Sequence, residues 1–428
     1  MGVEFPNFSI IIFLRPKIMI ERTIYKQIIK TIKNKPVTVI SGARQVGKTT
    51  LCDLIEKELN FSYVSFANPL VRNSAKEDPQ GFLLLHKAPL IIDEIQKVPE
   101  LFEYIEGVVD ENIKKGNDKS LYVLTGSQSY QLMKGVTESM SGRVGLIDME
   151  PLSLSEIQGV IEEPFTINID KIVNRTNSYK LEVDKIYEYI VRGFYPELYK
   201  NPELDANAFY SDYVSTYLER DVSDLINIKD KTKFLNLMTI LASLTGQEIA
   251  YDNLAKEIGV DKKTIESWIS VLITGNIVHL LNPYNEQSVT KSVIKKNKIY
   301  FSDTGLACYL ARVNSKDTLI NSYLKGHMVE TFIINEIIKS YKNNNDKSAS
   351  FYFYRTYDQK EIDFIILKNG ELFLLECKSG TNFNKTDVKA FAFAKNSKYR
   401  NEQNAIICTT DKIYSIDKNC FVLPITSI

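Results

Sequence analysis

Short apolar runs, each ending in polar residues with chemical potential, organise the first third of the chain. Val37-Thr38-Val39-Ile40 reads as a buried strand, and after a Gly-bounded polar turn Thr50-Leu51-Cys52-Asp53-Leu54-Ile55 reads as a helix. Leu90-Ile91-Ile92 ends in Asp93-Glu94, and Leu121-Tyr122-Val123-Leu124 ends in Thr125-Gly126-Ser127. Uninterrupted apolar strands of this kind belong to parallel sheets covered on both faces. Strand and helix patterns alternate from Ile24 to about Glu150, which predicts a doubly wound α/β sheet.

The pattern then changes. Pro151-Leu152-Ser153-Leu154-Ser155-Glu156 reads as a domain exit with a helix cap, and the Asn-rich stretch Thr166 to Lys180 reads as a loop. Leu181 to Leu244 is mostly helical, broken at Arg192-Gly193-Phe194-Tyr195-Pro196, and one amphipathic helix is expected from Asp212 through Arg220-Asp221-Val222. Ile249 to Leu281 has the spacing of a helix-turn-helix with a wing: Gly259 makes the turn and Asp261 caps the second helix. The expected divisions are an extension at 1–18, a nucleotide-binding domain at 19–155, helices at 156–244, a winged-helix-like unit at 245–290 and a C-terminal α/β domain at 291–428.

Composition narrows the classes. The 428 residues carry 53 basic and 53 acidic side chains, so no global field favours nucleic acid and any basic surface is local. Five scattered cysteines without a C-x-x-C pair argue against zinc and disulfides and for reduced thiols in the cytoplasm. No run reaches transmembrane length, so no membrane partner is expected.

The chemistry lies at the strand ends. Gly42-Ala43-Arg44-Gln45-Val46-Gly47-Lys48-Thr49 fills every fixed position of G-x-x-x-x-G-K-[ST] between a strand and a helix. Backbone N–H groups of Gln45, Val46, Gly47 and Thr50 would cradle ATP phosphates, Lys48 would reach the β and γ groups, and the Thr49 hydroxyl would ligate Mg²⁺. Asp93 would complete the Mg²⁺ shell and Glu94 would polarise the attacking water. Thr125 and Ser127 are placed to sense the γ-phosphate, and Arg143 to contact phosphate in cis or across the interface of a homo-oligomer.

A second constellation lies near the C-terminus. Asn369-Gly370 between two apolar runs predicts a two-residue hairpin in which Phe364 faces Leu375, Ile362 faces Cys377, Asp363 faces Glu376 and Glu361 faces Lys378. Facing carboxylates repel unless something positive sits between them, such as a divalent metal or Lys378. Asp363, Glu376 and Lys378 in this order match the core pattern of a PD-(D/E)xK nuclease site, in which the carboxylates bind Mg²⁺ and the lysine orients the water; the same pattern also fits an ion pair at a sheet end. Glu330, on a helix with Val329, Phe332, Ile333 and Ile337 along one face, is the further acidic ligand expected.

Together these residues resemble a bacterial and archaeal family of AAA-type ATPases with a C-terminal DUF4143 domain. The resemblance runs from about Met19 to the end. It rests on Gly42–Thr49, Asp93–Gln96, Thr125–Ser127, Ser141–Arg143 with Pro151-Leu152, the turn ending in Pro196, Asp303-Thr304-Gly305-Leu306, Glu361–Ile365 and Glu376–Gly380. It implies a P-loop sheet, a helical and winged-helix region, a nuclease-like C-terminal domain, and ATP binding. Three functional classes follow: an ATPase coupled to a nuclease-like domain acting on DNA, a nucleotide-controlled switch with a catalytically inactive nuclease-like domain, and a DNA-binding regulator using the winged helix.

Overall fold

The computed structural model describes residues 20–127, 142–218, 230–286, 296–356 and 360–428. The expected 1–18 extension, Ser141 and Arg220-Asp221-Val222 lie outside them.

Five parallel strands form the first sheet: β1 (Val37–Gly42), β2 (Ser62–Ser65), β3 (Leu90–Asp93), β4 (Tyr122–Thr125) and β5 (Val144–Met149), in the order β2-β3-β4-β1-β5. The Thr125 strand therefore lies between the phosphate-loop strand and the Asp93 strand. Both faces are covered. Ile24, Ile28 and Ile32 of helix Ile24–Asn34 and Leu51, Cys52 and Ile55 of helix Lys48–Leu59 fill one side, and Phe82, Phe102 and Ile105 fill the other. That double burial is why β1, β3 and β4 read as continuous apolar runs.

The second sheet has nine strands: β6 (Gln247–Glu248), β7 (Val278–Pro283), β8 (Lys298–Phe301), β9 (Ala349–Arg355), β10 (Glu361–Lys368), β11 (Glu371–Lys378), β12 (Asn404–Cys408), β13 (Tyr414–Asp417) and β14 (Cys420–Pro424). Their order is β13-β14-β12-β11-β10-β9-β7-β8-β6. Strand β7, paired with β8, joins the C-terminal sheet through Asn282↔Tyr352 and Pro283↔Phe353, so this sheet runs across the division expected at residue 290. Helices Tyr251–Ile258 and Lys262–Thr274 have the predicted turn at left-handed Gly259 and the predicted cap, with Asp261 accepting from the Thr264 N–H.

The stretch Thr166 to Lys180 is not the expected loop. Ile169–Ser178 is a helix, with Asn168 accepting from the Lys171 N–H at its start and Ile172 buried. Asparagine at that position acts as a cap, not a breaker. Among the described residues no helix is long and apolar enough to cross a membrane.

One clamp orders the helical region. Asp303 is buried and accepts from Tyr210 Oη (2.7 Å), the Phe194 N–H (2.7 Å) and the Leu306 N–H (2.8 Å). Gly193 has φ +75°, and a Cβ there would fall 1.9 Å from Tyr210 Oη and 2.7 Å from Asp303 Oδ1. The glycine turn and the Asp-Thr-Gly-Leu segment are thus two halves of one contact, just ahead of Pro196, which sits beside Gly47. Asp303→Ala strands two buried N–H donors and leaves Tyr210 Oη only the Arg192 carbonyl (3.1 Å), so it should destabilise the fold by roughly 2–4 kcal/mol in denaturant titration, whereas an exposed Asp→Ala should cost little.

Candidate functional site: a phosphate loop and a carboxylate cleft

The phosphate loop leaves β1 at Gly42, whose Cα lies so close to β5 that a Cβ would meet the Met149 carbonyl oxygen at 2.3 Å. Gln45 (φ +61°) and Gly47 (φ +101°) adopt left-handed backbone, which folds the loop over the start of helix Lys48–Leu59. The Lys48 ammonium donates to the carbonyls of Gly42 (2.9 Å) and Ala43 (2.7 Å), which holds it over the loop.

Asp93, 5% exposed, stands opposite at the end of β3. Its Oδ1 accepts a short hydrogen bond from the Thr125 hydroxyl. Its Oδ2 is 3.1 Å from Tyr63 Oη, 3.4 Å from Ser65 Oγ and 3.5 Å from Thr49 Oγ1. The hydroxyl and carboxylate expected to share Mg²⁺ are therefore neighbours, and the oxygen-only donor set suits a hard cation. Glu94 has left-handed backbone (φ +59°), uncommon for a non-glycine residue and typical of functional sites. Gln96 Nε2 donates to Glu94 Oε2 (2.7 Å) and to Ser127 Oγ (3.1 Å), linking the expected water-polarising carboxylate to the strand between β1 and β3.

Two cavities meet at Gly47, Thr50, Pro196 and Lys200. One, of about 390 Å³, is largely apolar and is lined by Ile20, Tyr25, Val46, Leu54, Leu152 and Pro196. The other, of about 660 Å³, holds Arg44, Gln45, Lys48, Thr49 and Glu94 against Lys200, Asp212 and Tyr213 of the helical region. An apolar chamber beside a polar, lysine-bearing one matches the two halves of a nucleotide, base and triphosphate. Tyr63, Ser65, Tyr25 and Lys200 were not legible as site residues, because each lies outside a motif and is brought in only by strand pairing or domain packing.

Arg143 requires a correction. It precedes β5, and its guanidinium pairs with Glu106 (3.0 Å) and Asp110 (2.6 Å). Val37↔Val144 pairing puts it at the end of the sheet opposite the phosphate loop, so it makes no phosphate contact in cis.

The C-terminal cleft, about 610 Å³, brings Glu330, Asp363, Glu376 and Lys378 together with Lys298, His327 and Glu361. The hairpin register is the predicted one from Lys368↔Glu371 to Phe364↔Leu375, with Asn369 and Gly370 both at positive φ. Beyond it, a β-bulge against β9 between Ile362 and Ile365 breaks the alternation. Ile362 therefore packs with Ile365 and Leu374, not on the Cys377 face. Lys378 does not pair with Glu361. Its ammonium bridges Asp363 (3.0 Å) and Glu376 (2.6 Å), while Glu361 pairs with Lys298 (2.5 Å).

Glu330 also departs from expectation. Its Oε1 accepts from both Lys298 (3.0 Å) and Tyr300 Oη (2.7 Å), and among the described residues no three His, Cys, Asp or Glu side chains are arranged to hold a metal ion. Burial, then the neighbouring Asp363, pushes the Glu376 carboxyl up to about 9. Against its own burial, the Lys378 and Lys298 ammonium groups hold Asp363 below the usual carboxylate range. At the start of helix Lys262–Thr274, exposed Lys262 pairs with Asp252 (3.0 Å), so its charge is already met by a carboxylate.

The first sheet, its phosphate loop and the acidic strand end define a P-loop nucleotide-binding domain of α/β class. Residues 34–158 match the AAA domain family, residues 183–317 a domain of unknown function (DUF8612), and residues 325–428 a domain of unknown function (DUF4143). The chain thus carries a segment similar to the AAA domain family and a C-terminal segment similar to DUF4143. An uncharacterized protein of Mycobacterium tuberculosis and one of Mycobacterium bovis are each 25% identical over 350 residues, 82% of this chain and 71% of the relative. Among solved structures, a Walker-type ATPase of Pyrococcus abyssi has 13% identity and a TM-score of 0.44, covering 69% of this chain and 98% of its own. The RuvB Holliday junction branch migration motor of Thermotoga maritima has 16% identity and a TM-score of 0.28, covering 60% and 88%.

Lys48→Ala removes the ammonium held over the loop. We expect it to weaken ATP binding by roughly 10- to 100-fold in equilibrium titration, with the melting temperature little changed.

Proposed function

We propose that this protein is a Mg²⁺-dependent ATPase. The observation that carries the reading is the convergence of Thr49, Asp93 and Thr125 beside Glu94 at the mouth of the phosphate loop. Gln45 to Thr50 bind the phosphates through backbone N–H groups, and Lys48 adds the fixed positive charge. Thr49 and Asp93 would hold Mg²⁺, which neutralises charge developing on the transferred phosphoryl group. Glu94 orients and polarises the attacking water once it leaves Gln96, and Ser127 shares Gln96 with it. The base lies in the apolar chamber between Tyr25 and Pro196. Glu94→Gln should retain ATP binding and slow steady-state phosphate release by roughly 10²-fold or more. Lost ATP binding in this variant would make Glu94 structural, and wild-type turnover would remove it from catalysis.

The C-terminal cleft supports a second reading, Mg²⁺-dependent cleavage of DNA. The specific observation is that Asp363, Glu376 and Lys378 meet in one open cleft. Mg²⁺ commonly takes one or two carboxylates and keeps its waters, so Asp363 and Glu376 suffice without Glu330. Lys378 now occupies the space between them, which is equally what an inert, switch-like domain needs. Mg²⁺ should raise the melting temperature through this site, and Asp363→Asn should abolish that part of the rise. The response should grow from pH 6 to pH 9: Glu376 keeps its proton through much of that window, and metal must displace it. Mg²⁺-dependent nicking of supercoiled plasmid, absent in Asp363→Asn, would support cleavage; no nicking by wild type would leave the switch reading.

A further inference from the structure

Strand β2 lies at the edge of the first sheet and alternates in side-chain direction. Val64 joins the core on one face, while Tyr63 packs with the core on the other, which carries helix Lys48–Leu59. Parallel pairing sets Tyr63 beside Ile91 and Ser65 beside Asp93. Two hydroxyls of one strand thereby reach Asp93 Oδ2, the phenol of Tyr63 at 3.1 Å and Ser65 Oγ at 3.4 Å, while Thr125 holds Oδ1. Thr49 Oγ1 lies on the same Oδ2 at 3.5 Å. A carboxylate at a strand end is otherwise free to turn about its side-chain bonds. Here Oδ2 is held from β2, on the side remote from the phosphate loop, and Oδ1 from β4, which lies between Asp93 and that loop.

We propose that Tyr63, assisted by Ser65, is a positioning residue for magnesium: its phenol fixes the Asp93 carboxylate in the orientation that metal binding beside Thr49 requires. The inference rests on the Mg²⁺–ATP reading given above. Hydrogen bonds to a ligating carboxylate set its direction and basicity, and their removal commonly costs 10- to 100-fold in metal affinity. The closer phenol contributes more than the serine. A tyrosine that only filled space beside the helix would do so equally well as phenylalanine.

The test uses the full chain and a fluorescent ADP. Nucleotide release is timed in stopped flow against Mg²⁺ concentration, and the concentration giving half-maximal slowing is read for wild type, Tyr63→Phe and Ser65→Ala. Tyr63→Phe is expected to raise that concentration roughly 10- to 100-fold and Ser65→Ala to raise it less, with metal-free ADP affinity within about twofold of wild type. If Tyr63→Phe does not fold, a rise in Ser65→Ala carries the same inference, and an unchanged value there overturns it. An unchanged or lowered Mg²⁺ requirement in a folded Tyr63→Phe overturns the proposal and leaves the ATPase reading standing. Wild-type release that ignores Mg²⁺ overturns the magnesium reading itself, and this proposal with it.

Discussion

The guanidinium of Arg22 is nearly buried, and each of its three nitrogens donates to a different part of the chain. Nη1 reaches the carbonyl of Val46 in the phosphate loop (2.8 Å), Nη2 the carbonyl of Glu150 after β5 (2.7 Å), and Nε the carboxylate of Glu156 (3.1 Å). Glu156 also closes a capping box with Ser153. Removing one partner of a buried ionic contact costs far more than the pair contributes net, so this geometry is held firmly. The phosphate loop therefore takes its position from the end of the first sheet and from the chain leaving it.

That same exit segment is fastened to the C-terminal domain by one long helix, Lys325–Asn343. Lys342 pairs with Glu150, Glu336 accepts from the Leu154 N–H (2.7 Å), and Lys339 donates to the Leu152 carbonyl (2.9 Å). The first turns of the helix carry His327 and Glu330 into the carboxylate cleft. About 18 Å of helix separates Glu330 from Lys342. One apolar core, from Ile28 through Phe332 to Phe364, runs alongside these contacts. The two sites are thus built on one continuous packed body.

Much of this was legible in the residues. The phosphate loop, Asp93, Glu94 and the β10–β11 turn each depend on local rules: glycine at positive φ, apolar runs in covered strands, Asn-Gly in a two-residue turn. The failures were non-local. The bulge at Asp363 is set by pairing with β9, so it left no mark on the alternation of β10 itself. Arg143 closes the Ser141–Arg143 segment of the family resemblance, but strand direction carries it to the end of the sheet opposite the phosphate loop. Tyr63 and Arg22 sit in ordinary contexts and gain their roles only when β2 meets β3 and when the chain exit meets the loop. The lysines that neutralise the C-terminal carboxylates come partly from β8, far away in sequence.

One nucleotide spanning the two chambers beside Gly47 would unite these features. A crystal structure of the full chain with Mg²⁺ and a non-hydrolysable ATP analogue tests it most directly. The base should lie between Tyr25 and Pro196, the γ-phosphate at Lys48, and a metal between Thr49 and Asp93. An analogue bound with its phosphates away from Lys48, or a base outside the Tyr25 chamber, would contradict it.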